Sequence, residues 1–62
     1  MNILITGICG YIGKNLVSYF DDIPDLKIYG LDLNKVKMNG VKKIYTWDNL
    51  HEIGNIDCVI HL

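Results

Sequence analysis

The sequence predicts an α/β fold built on one parallel sheet of about four strands in the order 3-2-1-4, with helices on its faces. Short runs rich in Ile, Val and Leu alternate with segments of helical or turn character along the 62 residues. The first of these runs is followed at once by three evenly spaced glycines and then by a helical pattern. Half of the residues are hydrophobic, which is enough for one small core.

Composition excludes several classes of partner. Six Lys+Arg balance seven Asp+Glu and the lysines are scattered, so we expect no nucleic-acid partner. No apolar run approaches the roughly 20 residues of a membrane span, and no basic region precedes the first run, so we expect no membrane association. We interpret Cys9 and Cys58 as free thiols of a cytoplasmic protein.

The first strand and its glycines form the most informative stretch. Ile3-Leu4-Ile5 is short and β-branched at two positions, which favours a strand. Gly7 permits a tight turn, Gly10 lets the backbone approach a ligand closely, and Gly13 lets helix and strand pack at short range. A strand, a glycine turn and a helix in succession present backbone N–H groups to a pyrophosphate.

A helix is predicted from Tyr11 to about Ile23, where Pro24 blocks its continuation. Its apolar positions fall on one side, which we expect to pack on the sheet: Ile12, Leu16, Val17 and Phe20. A second strand is predicted over Leu26–Leu31. Together these elements make a strand–helix–strand unit of the usual length.

Asp32 directly follows the second strand, 19 residues after Gly13. A carboxylate there can accept hydrogen bonds from both ribose hydroxyls of an adenosine whose pyrophosphate lies on the glycine turn. It would repel a 2′-phosphate, so it favours NAD over NADP. The alternative is an Asp that only forms a turn, and the spacing from the glycines favours the ribose role.

The segment 34–40 is predicted to be a loop or one irregular turn, because it is too short for a full crossover helix. A third strand is predicted over Val41–Thr46. Trp47 follows it at the same edge of the sheet, where it either stacks near an adenine or packs against the protein.

The last third of the chain predicts a short helix and a fourth strand. Asn49 or Asp48 is expected to cap a helix over 50–53. The run Ile56–Leu62 is nearly continuously apolar, which is typical of a buried parallel strand, and Cys58 in its middle is expected in the core.

The two cysteines and two histidines are the other candidate reactive side chains. Cys9 lies in the glycine turn at a helix N-terminus, where it is either a reactive thiol of lowered pKa or simply a small residue that fits a tight loop; the second is favoured. Cys9, His51, Cys58 and His61 lack the spacing of zinc ligands, so no metal site is expected.

Four segments carry a family resemblance: ITGICGYIG at 5–13, LD at 31–32, WDNL at 47–50 and IDCVIHL at 56–62. They resemble the opening of the NAD-dependent epimerase/dehydratase family, the extended short-chain dehydrogenases, and among these the nucleotide-sugar epimerases. The resemblance implies NAD as cofactor, Asp32 on the adenosine ribose, and Asp48 on the adenine amino group with Asn49 or Leu50 beside the ring. It implies that the pyrophosphate turn is lined by Gly7, Gly10, Tyr11, Ile12 and Gly13.

In that family the catalytic Ser/Thr and the Tyr-x-x-x-Lys pair lie further along the chain. No tyrosine here is followed by Lys four positions later. We therefore expect residues 1–62 to be the N-terminal part of an NAD-binding domain that contains no catalytic residue. A nucleotide sugar is expected to bind only to a full-length enzyme. The alternative is a folded, inactive unit that forms a homo-oligomer through an exposed edge of the fourth strand.

Overall fold

The computed structural model describes residues 1–34 and 36–62. Within them the chain forms β1 (Asn2–Thr6), α1 (Tyr11–Phe20), β2 (Lys27–Leu31), β3 (Val41–Tyr45), a 3₁₀ helix (Trp47–Glu52) and β4 (Cys58–His61). The four strands are all parallel and lie in the order β3-β2-β1-β4. The predicted α/β fold class and strand order are thereby confirmed.

The order of the strands creates a switch point beside β1. The chain proceeds from β1 to β2 to β3 on one side, and then returns to the other side of β1 to form β4. In open parallel sheets, ligands bind outside the carboxyl ends of the strands at the point where the direction of winding reverses. The turn that leaves β1 opens at this point.

Helix α1 begins at Tyr11 as predicted and ends at Phe20, earlier than the predicted Ile23. Its buried positions are Gly13 and Val17. Ile12, which was predicted to face the sheet, is 62% exposed. That expectation was wrong because Gly13, one position later, occupies the place where the helix touches the turn.

Ile8 fixes the distance between the turn, the helix and the sheet. It is fully buried. A Cβ atom built on Gly30 of β2 would lie 2.5 Å from Ile8 Cγ2, and one built on Gly13 would lie 2.3 Å from the carbonyl oxygen of Ile8. Both glycines are therefore required by packing around Ile8.

Apolar side chains cover both faces of the sheet. The face under α1 holds the larger cluster: Ile3, Ile5, Ile8, Val17, Ile28 and Ile44. The opposite face holds Leu4, Leu31 and Tyr45, against which Leu50 and Ile53 pack from the 3₁₀ helix and the residue after it.

The short helix differs from its prediction. It begins at Trp47, and its N-cap is Thr46, not Asp48 or Asn49. The side-chain oxygen of Asn49 accepts a hydrogen bond from the Thr46 N–H at 2.8 Å. Asn49 thus stabilises the helix start from inside the first turn, as in a capping box.

Strand β4 spans four residues, fewer than the predicted 56–62, and lies at the edge of the sheet. Cys58 is exposed, so its predicted place in the core was wrong, and Val59 is 56% exposed. The physical reason is that β4 has one neighbouring strand among the described residues, whereas a buried parallel strand has two. β2 and β3 are also slightly shorter than predicted, at Lys27–Leu31 and Val41–Tyr45.

The predicted loop at 34–40 includes Lys35, which lies outside the described residues. Its other residues belong to neither a helix nor a strand. No helix in residues 1–34 and 36–62 combines the length and the apolar character that crossing a membrane requires.

Replacement of Gly13 tests the packing around Ile8. We expect Gly13→Ala to lower the free energy of unfolding by about 1–3 kcal/mol, because the added methyl group meets backbone that cannot move aside. Gly54→Ala is the matched control, since a Cβ there meets nothing within 4 Å. Urea unfolding followed by circular dichroism measures both; equal stability of the two variants would contradict the packing account.

Candidate cofactor-binding site

The glycine turn is tied to β2. Gly7 adopts a φ of 69°, a left-handed conformation that favours glycine. Its N–H donates to the Leu31 carbonyl oxygen at 2.8 Å, and the N–H of Gly10 donates to the Gly7 carbonyl oxygen at 3.1 Å. The backbone between β1 and α1 is therefore held as a compact turn at the carboxyl ends of β1 and β2.

The N-terminus of α1 leaves three backbone donors free. The first hydrogen bond of the helix runs from the Lys14 N–H to the Gly10 carbonyl oxygen at 3.0 Å. Gly10 is the N-cap and contributes no side chain. Among the described residues nothing accepts a hydrogen bond from the N–H groups of Tyr11, Ile12 and Gly13. These groups carry the positive end of the helix dipole and suit an anion.

An open cleft of about 320 Å³ lies over these donors. Five of its lining residues are those predicted for the pyrophosphate turn, and the sixth is Leu62: Gly7, Gly10, Tyr11, Ile12, Gly13 and Leu62. A Cβ built on Gly10 would lie 3.4 Å from its nearest neighbour, the Gly7 carbonyl oxygen. The fold itself therefore tolerates a methyl group at Gly10, in contrast to Gly13.

Asp32 lies beside the turn. One carboxylate oxygen accepts a hydrogen bond from the Cys9 N–H at 2.9 Å, and the other accepts one from the Asn34 N–H at 3.3 Å. Chiefly through the Cys9 hydrogen bond, the pKa of the Asp32 carboxyl is held below its ordinary value. A carboxylate has about four acceptor positions, so these two bonds leave room for hydroxyl donors of a ligand.

A second cleft, of about 290 Å³, contains Asp32 and adjoins the first, since Gly7 and Leu62 line both. Its lining residues are Thr6, Gly7, Leu31, Asp32, Leu33, Trp47, His61 and Leu62. Trp47 is 65% exposed and provides an aromatic surface within this cleft. Trp47 and Asp32 thus line the same cleft, where the exposed ring is available for the predicted stacking near an adenine.

Asp48 and Asn49 are placed differently from the other predicted residues. Neither lines either of the two clefts. Asp48 is exposed on the 3₁₀ helix, and the side-chain oxygen of Asn49 is engaged with the Thr46 N–H. Of the three consecutive residues 47–49, only Trp47 lines one of these two clefts.

Thr6 and His61 were not predicted as site residues, yet both line the second cleft, and their side chains contact each other there. Thr6 Oγ1 lies 2.7 Å from His61 Nδ1, and the Leu62 N–H donates to Thr6 Oγ1 at 3.3 Å. The two side chains link the carboxyl ends of β1 and β4. Their positions at the ends of two parallel strands were the available signal, because such ends meet at one edge of a sheet.

Cys9 is half-buried, and its thiol lies 3.6 Å from the Asn34 carbonyl oxygen. Burial, followed by the negative charge of Asp32, raises the pKa of the Cys9 thiol. The alternative of a thiol activated by the helix dipole is therefore contradicted, and the favoured interpretation of a small residue in a tight turn agrees with its position. The described residues contain no group of three or more side chains that could hold a metal ion.

A third cleft lies apart from these residues, between β3 and the segment before it. It has a volume of about 440 Å³ and is the largest of the three. Its lining includes Lys37, Lys42 and Lys43 but none of the residues predicted to bind a cofactor. Size alone does not identify the site, because the polar groups that fix a ligand's orientation converge on the two smaller clefts.

Comparisons with protein-family models, with curated proteins and with solved structures gave no match for this chain. What the two adjoining clefts can bind therefore has to be inferred from their own residues.

The ionisation of Asp32 makes a contribution to stability that depends on pH. Because its folded-state pKa lies below the ordinary value of 3.8, the carboxylate stabilises the fold above that pH, and this stabilisation is lost as pH falls through the folded-state pKa. We expect Asp32→Asn to unfold with a weaker dependence on pH below 3.8 than the wild type. Urea unfolding at several acidic pH values measures the slope. Asp22→Asn, which removes one carboxylate at an exposed position, is the matched control. An unchanged slope in Asp32→Asn would refute the assignment.

The two thiols should react at different rates. At mildly alkaline pH, we expect the exposed Cys58 to react with a disulfide reagent faster than Cys9, whose pKa is raised by burial and by Asp32. Single-cysteine variants, Cys9→Ser and Cys58→Ser, separate the two rates. Asp32→Asn should accelerate Cys9 alone. A faster Cys9 in the wild-type background would contradict the environment described here.

Proposed function

We propose that the chain binds NAD across the two adjoining clefts and forms the N-terminal, cofactor-binding part of a nucleotide-sugar epimerase or dehydratase of the UDP-glucose 4-epimerase type. The observation that carries the proposal is the convergence of three free N–H groups and the Asp32 carboxylate at the switch point of the sheet. A dinucleotide offers a matching pair of groups, namely a diphosphate anion and a ribose diol.

The cleft over the helix N-terminus suits the pyrophosphate. Tyr11, Ile12 and Gly13 offer N–H donors that have no described acceptor, and the N-cap Gly10 leaves the approach to them clear of a side chain. The cleft is open and shallow, as suits a ligand whose phosphates run across the surface of the turn.

The neighbouring cleft suits the adenosine. The Asp32 carboxylate would accept hydrogen bonds from the ribose hydroxyls, and the exposed Trp47 offers a surface on which the adenine can stack. A 2′-phosphate would bring further negative charge to a carboxylate that is ionised at neutral pH. NAD is therefore preferred over NADP.

The reaction class is supported by the family resemblance of the four sequence segments. NAD, when bound, would accept a hydride from a sugar and return it. The residues proposed here bind and orient the cofactor, and none of them is assigned a proton-transfer role. We accordingly expect residues 1–62 to bind the cofactor without catalysing a reaction. We expect a nucleotide sugar to bind only in a longer enzyme that contains these residues.

Gly10→Ala provides the sharpest test of cofactor binding. The added methyl group fits the protein but occupies the approach to the free N–H groups, so we expect NAD affinity to fall at least about tenfold, or 1.4 kcal/mol. Titration followed by Trp47 fluorescence and by calorimetry measures the affinity for NAD and NADP. Asp32→Ala should lose affinity for NAD and lose the preference over NADP.

The control is Gly54→Ala, which changes the same residue type in open space outside both clefts. It should bind NAD as the wild type does. Circular dichroism of each variant confirms that the fold is retained. If folded wild type, Gly10→Ala and Asp32→Ala all titrate identically with NAD, the proposed site is refuted.

A further inference from the structure

The strand order sets the order in which side chains follow one another along the carboxyl edge of the sheet. Trp47 comes after β3, Asp32 and Leu33 come after β2, and Thr6 ends β1. His61 ends β4, on the far side of β1. Because neighbouring strands are spaced by about 4.8 Å, β3 and β4 are roughly 14 Å apart. The backbones of Trp47 and His61 therefore lie at opposite ends of the cleft that both residues line.

The proposed dinucleotide has one direction along this edge. Its diphosphate is assigned to the start of α1, after β1, and its ribose diol to Asp32, after β2. The base and the phosphate are attached on opposite sides of the ribose ring, so the base extends from Asp32 toward the end of β3. The lining side chains at that end are those of Leu33 and Trp47, whereas His61 lies beyond the diphosphate.

The end of the cleft beside β3 is apolar. Leu33 is 79% exposed and Trp47 is 65% exposed, so neither side chain is used in the core. Among the described residues, the polar side chains that line this cleft are those of Thr6, Asp32 and His61. Thr6 and His61 contact each other at 2.7 Å at the other end, and Asp32 is assigned to the ribose. A base beside β3 thus meets an aromatic ring and an aliphatic side chain.

The polar side chains that follow β3 are engaged or placed elsewhere. Thr46 is the N-cap of the 3₁₀ helix, and its N–H donates to the side-chain oxygen of Asn49 at 2.8 Å. Asp48 is exposed in the first turn of that helix and lines neither of the two adjoining clefts. The family resemblance implies a hydrogen bond from the adenine amino group to Asp48. The arrangement of the described residues favours Trp47 as the contact of the base instead.

We propose that Trp47, with Leu33 beside it, holds the base by stacking and apolar contact alone, so that the site accepts hypoxanthine in place of adenine. Stacking on an aromatic ring uses the face of the base, which every base has. A hydrogen bond to the adenine amino group would instead read one substituent, which hypoxanthine replaces by a carbonyl oxygen. The inference rests on the proposed function and names the residue that determines how the base of the dinucleotide is recognised.

Calorimetric titration of residues 1–62 with NAD and with nicotinamide hypoxanthine dinucleotide tests the inference. We expect the two dissociation constants to agree within about threefold. Trp47→Ala should weaken binding of both dinucleotides by about 5- to 100-fold, and Trp47→Phe should restore most of the loss because it keeps a ring. Tyr19→Ala is the matched control, since Tyr19 is an aromatic residue that is 77% exposed but lines none of the three clefts. It should bind both as the wild type does.

Asp48→Ala separates stacking from a hydrogen bond to the amino group. We expect it to leave the dissociation constants of both dinucleotides within about twofold of the wild-type values. A loss of affinity for NAD that is absent for the hypoxanthine dinucleotide would show that Asp48 reads the amino group, and would overturn the inference.

The outcomes separate this inference from the proposed function. Wild-type protein that is folded by circular dichroism and binds neither dinucleotide refutes both. Wild-type protein that binds NAD, but with an affinity that differs by more than about threefold from that for the hypoxanthine dinucleotide, refutes the inference alone. Unchanged binding in folded Trp47→Ala, or an equal loss in Tyr19→Ala, refutes the role of Trp47 and leaves the binding of NAD standing.

Discussion

The architecture depends on the burial of a single side chain at the start of the turn. Ile8 is enclosed completely, and it can be so only because Gly30 of β2 and Gly13 of α1 have no Cβ atoms to collide with it. This contact brings α1 down onto the sheet at its first turn. It also places the N-terminus of the helix beside the carboxyl ends of β1 and β2, to which the turn before it is hydrogen-bonded. The position of the free N–H groups is thus a consequence of core packing.

The three glycines of the turn, Gly7, Gly10 and Gly13, lack a side chain for three different reasons. Gly7 serves the backbone, since its left-handed φ and its hydrogen bond to Leu31 make the turn possible. Gly13 serves the core. Gly10 is the one whose missing side chain the protein does not need for its own packing, and Gly10 is also one of the residues that line the cleft over the helix. A glycine that packing does not require, above unpaired backbone donors, is the feature that most favours a ligand there.

Local pattern was enough to predict the α/β class, the strand order, the start of α1 and the placing of Asp32 next to the glycine turn. These features depend on neighbours in sequence and on the handedness of parallel connections. Burial was harder to predict, because it depends on what lies across the sheet. Cys58 has an apolar strand around it in sequence but an open edge beside it in space, and Ile12 lies on the outer side of α1 because Gly13 takes the inner one.

The candidate site was partly accessible from sequence for the same reason. Its glycines and Asp32 follow a spacing that can be read along the chain. The pairing of Thr6 with His61 joins residues from the first and last strands, so only the strand order brings it into view. Trp47 lies at the cleft because the 3₁₀ helix begins at Trp47 itself, directly after its N-cap Thr46 and earlier than the pattern indicated. Asn49, in contrast, is occupied in stabilising the start of that helix.

The central claim is that a diphosphate is held by the backbone at the start of α1. Its most direct test is an amide chemical-shift titration of the folded, isotopically labelled chain with ADP-ribose, with residue assignments in hand. The account predicts that the largest shifts fall on the N–H groups of Tyr11, Ile12 and Gly13 and on the indole N–H of Trp47. Shifts confined to the lysine-lined cleft between Val36 and Ile44, or none at these groups at saturating ligand, would contradict it.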